Sequence, residues 1–125
     1  DLPIMVCLQW IYLSTTLGPE HVHILREAGA PVIPDRINLV PVGLVRGRPL
    51  AADLFLSTWA LSESNRVSQD FVLERKWFSA PRLLLAYQGS SERFPDAGRL
   101  GDLAAAAGAV VEPFPFKVGN SYAFR

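Results

Sequence analysis

Ser62 and Glu63 close an apolar run, Asp53-Leu-Phe-Leu-Ser-Thr-Trp-Ala-Leu-Ser-Glu63, and this pair is where the sequence first offers chemistry. A carboxylate at the end of such a run can orient a substrate hydroxyl or take its proton as a general base. Glu63 equally suits the start of a following helix, whose first-turn N–H groups favour negative charge. Trp59, inside the run, offers either a pocket wall or an ordinary core side chain, and Ser57 is a lesser pocket candidate of the same kind. Gln88 follows a second apolar run, Arg82-Leu-Leu-Leu-Ala-Tyr87, where its amide can face substrate or simply belong to a loop. Neither histidine has a Ser or Cys partner in its sequence context, so no nucleophilic triad is expected. His21 and His23 lie two residues apart in a segment read as a short helix, Glu20 to Ala28, closed by Gly29. They would not share a helix face. No Cys, third His or acidic cluster accompanies them, so they are expected to be surface histidines and no metal site is expected.

These candidates depend on the elements that carry them. Residues 52–61 have strand length and apolar character, and Ser62 to Asn65 form a polar turn. Arg66 to Phe78 reads as a helix with Val67, Phe71, Glu74 and Phe78 on one approximate face and Ser64 or Asn65 as its cap. Residues 82–87 are a second strand. The spacing suits a right-handed βαβ crossover, and uniformly apolar runs suit parallel strands covered on both faces. Ligands of such sheets sit beyond the carboxyl ends of the strands, where Ser62, Glu63 and Gln88 would fall.

Around this core, Asp1-Leu2-Pro3 opens an apolar helix in which Ile4, Cys7, Leu8, Ile11 and Tyr12 recur at helical spacing; Gly18-Pro19 stops it. Ile37 to Leu44 reads as a short strand, and Pro41 within it argues for a sheet edge or an interrupted end. Arg46 and Arg48 are read as solvated loop charges. After a polar loop, Arg99 to Ala107 forms an alanine-rich helix ended by Gly108. Residues 110–116 and 121–125 then form a hairpin about Lys117 to Asn120. Pro113 and Pro115 each lack a ladder donor and place the first of these strands at an edge. All five strands are expected in one sheet of a single domain, residues 1–125.

Composition sets outer bounds. With 125 residues, half of them apolar, 19% charged and no net charge, the chain can bury one core, and nothing points to nucleic acid or an acidic membrane surface. Cys7 is the single cysteine, which excludes an internal disulfide, fits a reducing, cytoplasmic setting and suggests a small buried side chain. No apolar run reaches the roughly 18–20 residues that span a bilayer, and no signal peptide is expected. Oligomeric state is not legible. A start at Asp1, with a helix immediately following, reads as a chain cut from something longer.

The succession of helix, strand, helix, strand, helix and terminal hairpin resembles the later part of a class I S-adenosylmethionine-dependent methyltransferase. Asp1-Leu2-Pro3, followed by a helix with Leu8-Gln9, is similar to the segment after the second strand of many O-methyltransferases. Leu56-Ser-Thr-Trp-Ala-Leu-Ser-Glu63 with Gln69-Asp70, and Gly119-Asn120-Ser121-Tyr122, resemble segments of a bacterial family of sugar O-methyltransferases. The resemblance implies an α/β, Rossmann-like, mostly parallel sheet that ends in an antiparallel hairpin. It also implies S-adenosylmethionine as cofactor and a small hydroxyl acceptor, a sugar or related molecule, as substrate. Asp1 would accept from the ribose hydroxyls with Leu2 and Ser57 beside the cofactor, Glu63 would be the base, and Trp59, Ser62 and Gln88 would meet the acceptor. The glycine-rich turn on which that cofactor rests is missing. The first strand, its turn and its helix would then lie upstream in a longer enzyme; alternatively, the chain is a catalytically silent methyltransferase-like domain used for protein association. The late half of a nucleotide-binding dehydrogenase fits the proline-rich terminal hairpin least.

Overall fold

The structure, a computed structural model, describes residues 2–125. The chain forms two compact units, one ending at Leu50 and the other running from Ala51 to Arg125.

In the first unit, helix α1 (Pro3–Leu17) starts with proline at its first positions, where no N–H is missed, and ends where the Gly18 N–H reaches the Ser14 carbonyl. Strands β1 (Val22–Ile24) and β2 (Ile37–Leu39) pair in parallel as a separate two-stranded sheet. Val6 and Leu13 of α1 pack with Val22, Ile24 and Leu39 in a small core.

Several expectations are corrected here. Glu20 to Ala28 is not a helix: Pro19–His21 is a single 3₁₀ turn, and His23 lies in β1. The segment is too short to offset helix nucleation, and β-branched Val22 and Ile24 favour an extended chain. The strand expected over 37–44 ends at Leu39 and does not join the larger sheet. Pro41 instead precedes the short helix α2 (Val42–Val45), its carbonyl accepting from the Leu44 N–H. Cys7 is exposed rather than buried, as are Ile4, Leu8, Ile11 and Tyr12, because the helix meets its sheet through Val6 and Leu13.

The second unit holds β3 (Leu54–Thr58), α3 (Arg66–Glu74), β4 (Arg82–Gln88), α4 (Arg99–Ala106), β5 (Val110–Pro113) and β6 (Asn120–Phe124). Their sheet order is β3-β4-β6-β5. The β3 and β4 strands are parallel with Leu54 opposite Arg82, whereas β6 runs antiparallel to both its neighbours. The fold is therefore α/β with a mixed sheet. Strand β5 lies at an edge and stops at Pro113, since prolines 113 and 115 cannot donate to a ladder.

Leu83, Leu85, Tyr87 and Ala123 face Val72, Leu100 and Ala104 of the two helices in one core with Leu61 and Trp77. The opposite sheet face has no such cover in this unit. Leu56, Leu84, Phe124 and Val110, aligned across all four strands, stay 38–56% exposed. Coverage of both faces, expected from the apolar runs, is thus corrected to one.

Helix α3 ends at Glu74 rather than Phe78. Lys76, Trp77, Phe78 and Ser79 all take positive φ, from 49° to 57°, which turns the chain left-handed. This turn drives Trp77 into the core, edge-on to Phe55 at 5.5 Å, while Phe78 stacks on Phe55 at 6.0 Å. Aromatic burial prevails over continuation of the helix.

Candidate functional site

Strand β3 leaves its ladder at Trp59, whose φ is 61°. A bulky residue in the left-handed region carries strain, on the order of 1–3 kcal/mol, and persists only where its surroundings over-determine it. Every polar group of Trp59 is engaged. Its N–H donates to the Ala86 carbonyl at 2.6 Å, and its carbonyl accepts from the Glu63 N–H at 3.0 Å and from Ser62 Oγ at 2.8 Å. The indole Nε1–H donates to Asn120 Oδ1 at 2.7 Å. Asn120, buried at the start of β6 opposite Gln88, also donates through Nδ2 to the Val118 carbonyl at 3.2 Å.

The indole ring itself stays half-exposed, with Phe114 tilted beside it at 6.4 Å and the Lys117 ammonium 5.1 Å from a ring centre. Phe114 is held in turn by Tyr122, edge-on at 4.9 Å. Lys117 has no ion pair among the described residues. At the carboxyl ends of the two parallel strands the protein therefore presents an aromatic platform whose hydrogen-bonding group is already used and over which a cation rests.

The remaining candidates divide by what their side chains do. Ser62 is fully buried with its hydroxyl on the Trp59 carbonyl, and Ser57 Oγ accepts from the Leu61 N–H at 3.1 Å, so both serines hold the turn after β3. Glu63 projects from that turn and is exposed. It does not cap α3: that cap is Asn65, whose Oδ1 accepts from the Ser68 N–H at 3.0 Å. The Glu63 carboxylate makes no hydrogen bond or ion pair among the described residues and is open to a ligand. Gln88 is the half-buried last residue of β4. Leu2 belongs to the first unit, where its carbonyl accepts from the Val6 N–H, and Asp1 lies outside the described residues.

Sequence reasoning missed Asn120, Lys117 and Phe114 as site residues, placing them only in the terminal hairpin and its turn. The available signal was Asn120 itself, a polar residue opening a strand that the hairpin aligns with the end of β4. Gln69 was likewise quoted only as part of a motif. It is fully buried, and its Nε2 lies 3.3 Å from the Leu61 carbonyl, 3.4 Å from that of Ser64 and 3.3 Å from that of Asp96, tying the Glu63 turn to α3 and to the loop before α4. At the end of that loop a Cβ on Gly98 would collide with the Gly89 carbonyl oxygen, so this close approach requires glycine.

Tyr87, behind the site, has its pKa raised by burial, an effect opposed by a hydrogen bond with Ser121 and reinforced by the charge of Asp102. Among the described residues no three His, Cys, Asp or Glu side chains gather to hold a metal ion, and no helix is long and apolar enough to cross a membrane. No protein-family model matches the chain, and no curated protein matches it.

Proposed function

We propose that this chain supplies the acceptor side of an S-adenosylmethionine-dependent O-methyltransferase that methylates a hydroxyl of a sugar or related small molecule, as part of a longer enzyme. The observation that carries the reading is Trp59, held left-handed by four hydrogen bonds with its ring left open at the carboxyl ends of β3 and β4. An indole face suits the C–H surface of a sugar ring. Glu63, free of the capping role, is the group to accept the proton of the reacting hydroxyl, and Gln88 is placed to fix the acceptor. The parallel pair β3–β4 followed by the antiparallel hairpin β5–β6 supports the reading, because the resemblance implies a sheet that ends in such a hairpin.

The residues described do not fit the cofactor itself. Ser57 spends its hydroxyl on the Leu61 N–H, and the close approach at Gly98 is to the chain's own Gly89 backbone rather than to an open cradle. Residues 1–125 alone are therefore expected to bind S-adenosylmethionine weakly or not at all. Micromolar binding in a calorimetric titration of the chain would refute this division of labour.

A second reading, a silent methyltransferase-like domain for protein association, draws on one observation: the uncovered row Leu56, Leu84, Phe124 and Val110. A large exposed apolar surface often marks an interface.

A further inference from the structure

Lys117 rests where an unpaired cation can do two things. Its ammonium lies 5.1 Å from the centre of a Trp59 ring, it is exposed, and it has no carboxylate partner among the described residues. A cation on an exposed aromatic face is held weakly, and a charge-assisted hydrogen bond to an anion is the stronger contact. The lysine also covers part of the indole surface that a sugar ring would need. Trp59 cannot turn aside to make room, because Asn120 fixes its Nε1–H at 2.7 Å. The mobile partner is Lys117, which sits in the turn between β5 and β6 on a long flexible stem.

We infer that the acceptor is an acidic sugar, one bearing a carboxylate or a phosphate. Its anion draws Lys117 off the indole as the sugar ring settles on the face thereby exposed. Charge recognition and platform opening become one event: a neutral sugar must displace the lysine and receives no ion pair in return. This inference rests on the sugar-acceptor reading given above.

The test uses the 125-residue chain labelled with ¹⁵N, in which the indole N–H of Trp59 is assigned by its absence in Trp59→Phe. Glucose, glucuronate and glucose 1-phosphate are titrated separately at low and moderate salt. The expected result is that one or both anionic sugars move the Trp59 signal at concentrations about tenfold or more below glucose, the discrimination expected of one hydrogen-bonded charge. Which anion does so tells carboxylate from phosphate. Lys117→Gln should bring the anions to the level of glucose and Lys117→Arg should restore the preference. Equal binding of all three sugars, or a preference that survives Lys117→Gln, overturns the inference and leaves the sugar reading standing. If no sugar moves the Trp59 signal, both fall.

Discussion

Two tryptophans of the second unit share a backbone conformation that tryptophan rarely takes, and they are held there by opposite means. Trp77, with φ 55°, lies in a run of four left-handed residues and is 5% exposed, pressed against Phe55 and the core beneath α3. Trp59, with φ 61°, is a single left-handed residue, half-exposed, and fixed by hydrogen bonds that its N–H and indole nitrogen donate and its carbonyl accepts. Strain alone therefore does not mark a site. At Trp77 it is offset by non-directional burial that leaves nothing for a ligand. At Trp59 it is offset by directional bonds that fix the ring yet leave its face open.

The largest break in this comparison should come at Trp77. Trp77→Ala removes the ring that the left-handed turn exists to bury, and a loss of about 3–5 kcal/mol is the usual cost of such a truncation. Chemical denaturation of the two proteins checks it; a loss below about 1 kcal/mol would mean that the turn is not held by burial.

Asn120→Ala attacks the other tryptophan. Removing the acceptor of a half-buried N–H should cost about 1–2 kcal/mol, and the indole proton of Trp59 should exchange with solvent faster while that of Trp77 is unchanged. If exchange at Trp59 does not respond, the ring is held by Phe114 packing and the contrast between the two tryptophans fails.

The smallest effect concerns Tyr87, which belongs to the packed side. Its folded pKa lies above that of the unfolded chain, chiefly through burial. Its share of stability is therefore complete below the ordinary tyrosine value near 10 and is lost as pH rises through the folded pKa. Thermal melts from pH 8 to pH 11 should fall more steeply for the native protein than for Tyr87→Phe; parallel curves would contradict the assignment.

How much of this the sequence carried differs between the two tryptophans and the chain around them. The parallel pairing of β3 and β4, the Asn65 cap and the edge position of β5 follow from local rules: apolar runs at crossover spacing, a polar residue before a helix, and prolines without donors. Glu63 and Gln88 could be assigned to one end of the sheet for the same reason. The left-handed turns were not legible, because Trp59 and Trp77 take φ values contrary to their own propensity, under forces that exist only once Asn120 and Phe55 arrive from elsewhere in the chain. The strand at His23 was hidden by an ambiguous short apolar segment, and the exposure of Cys7 by a helix whose apolar residues are not confined to one face.

The proposed methyl transfer is tested most directly by turnover of the full-length protein carrying Glu63→Gln. The substitution keeps the side chain's size and removes the proposed base. Turnover should fall by about 10²–10⁴, the usual range for loss of a general base, with cofactor affinity and melting temperature close to those of the native enzyme. Full turnover, or a shift in melting temperature and little else, would contradict the account, and the acceptor proton would have to leave by another route.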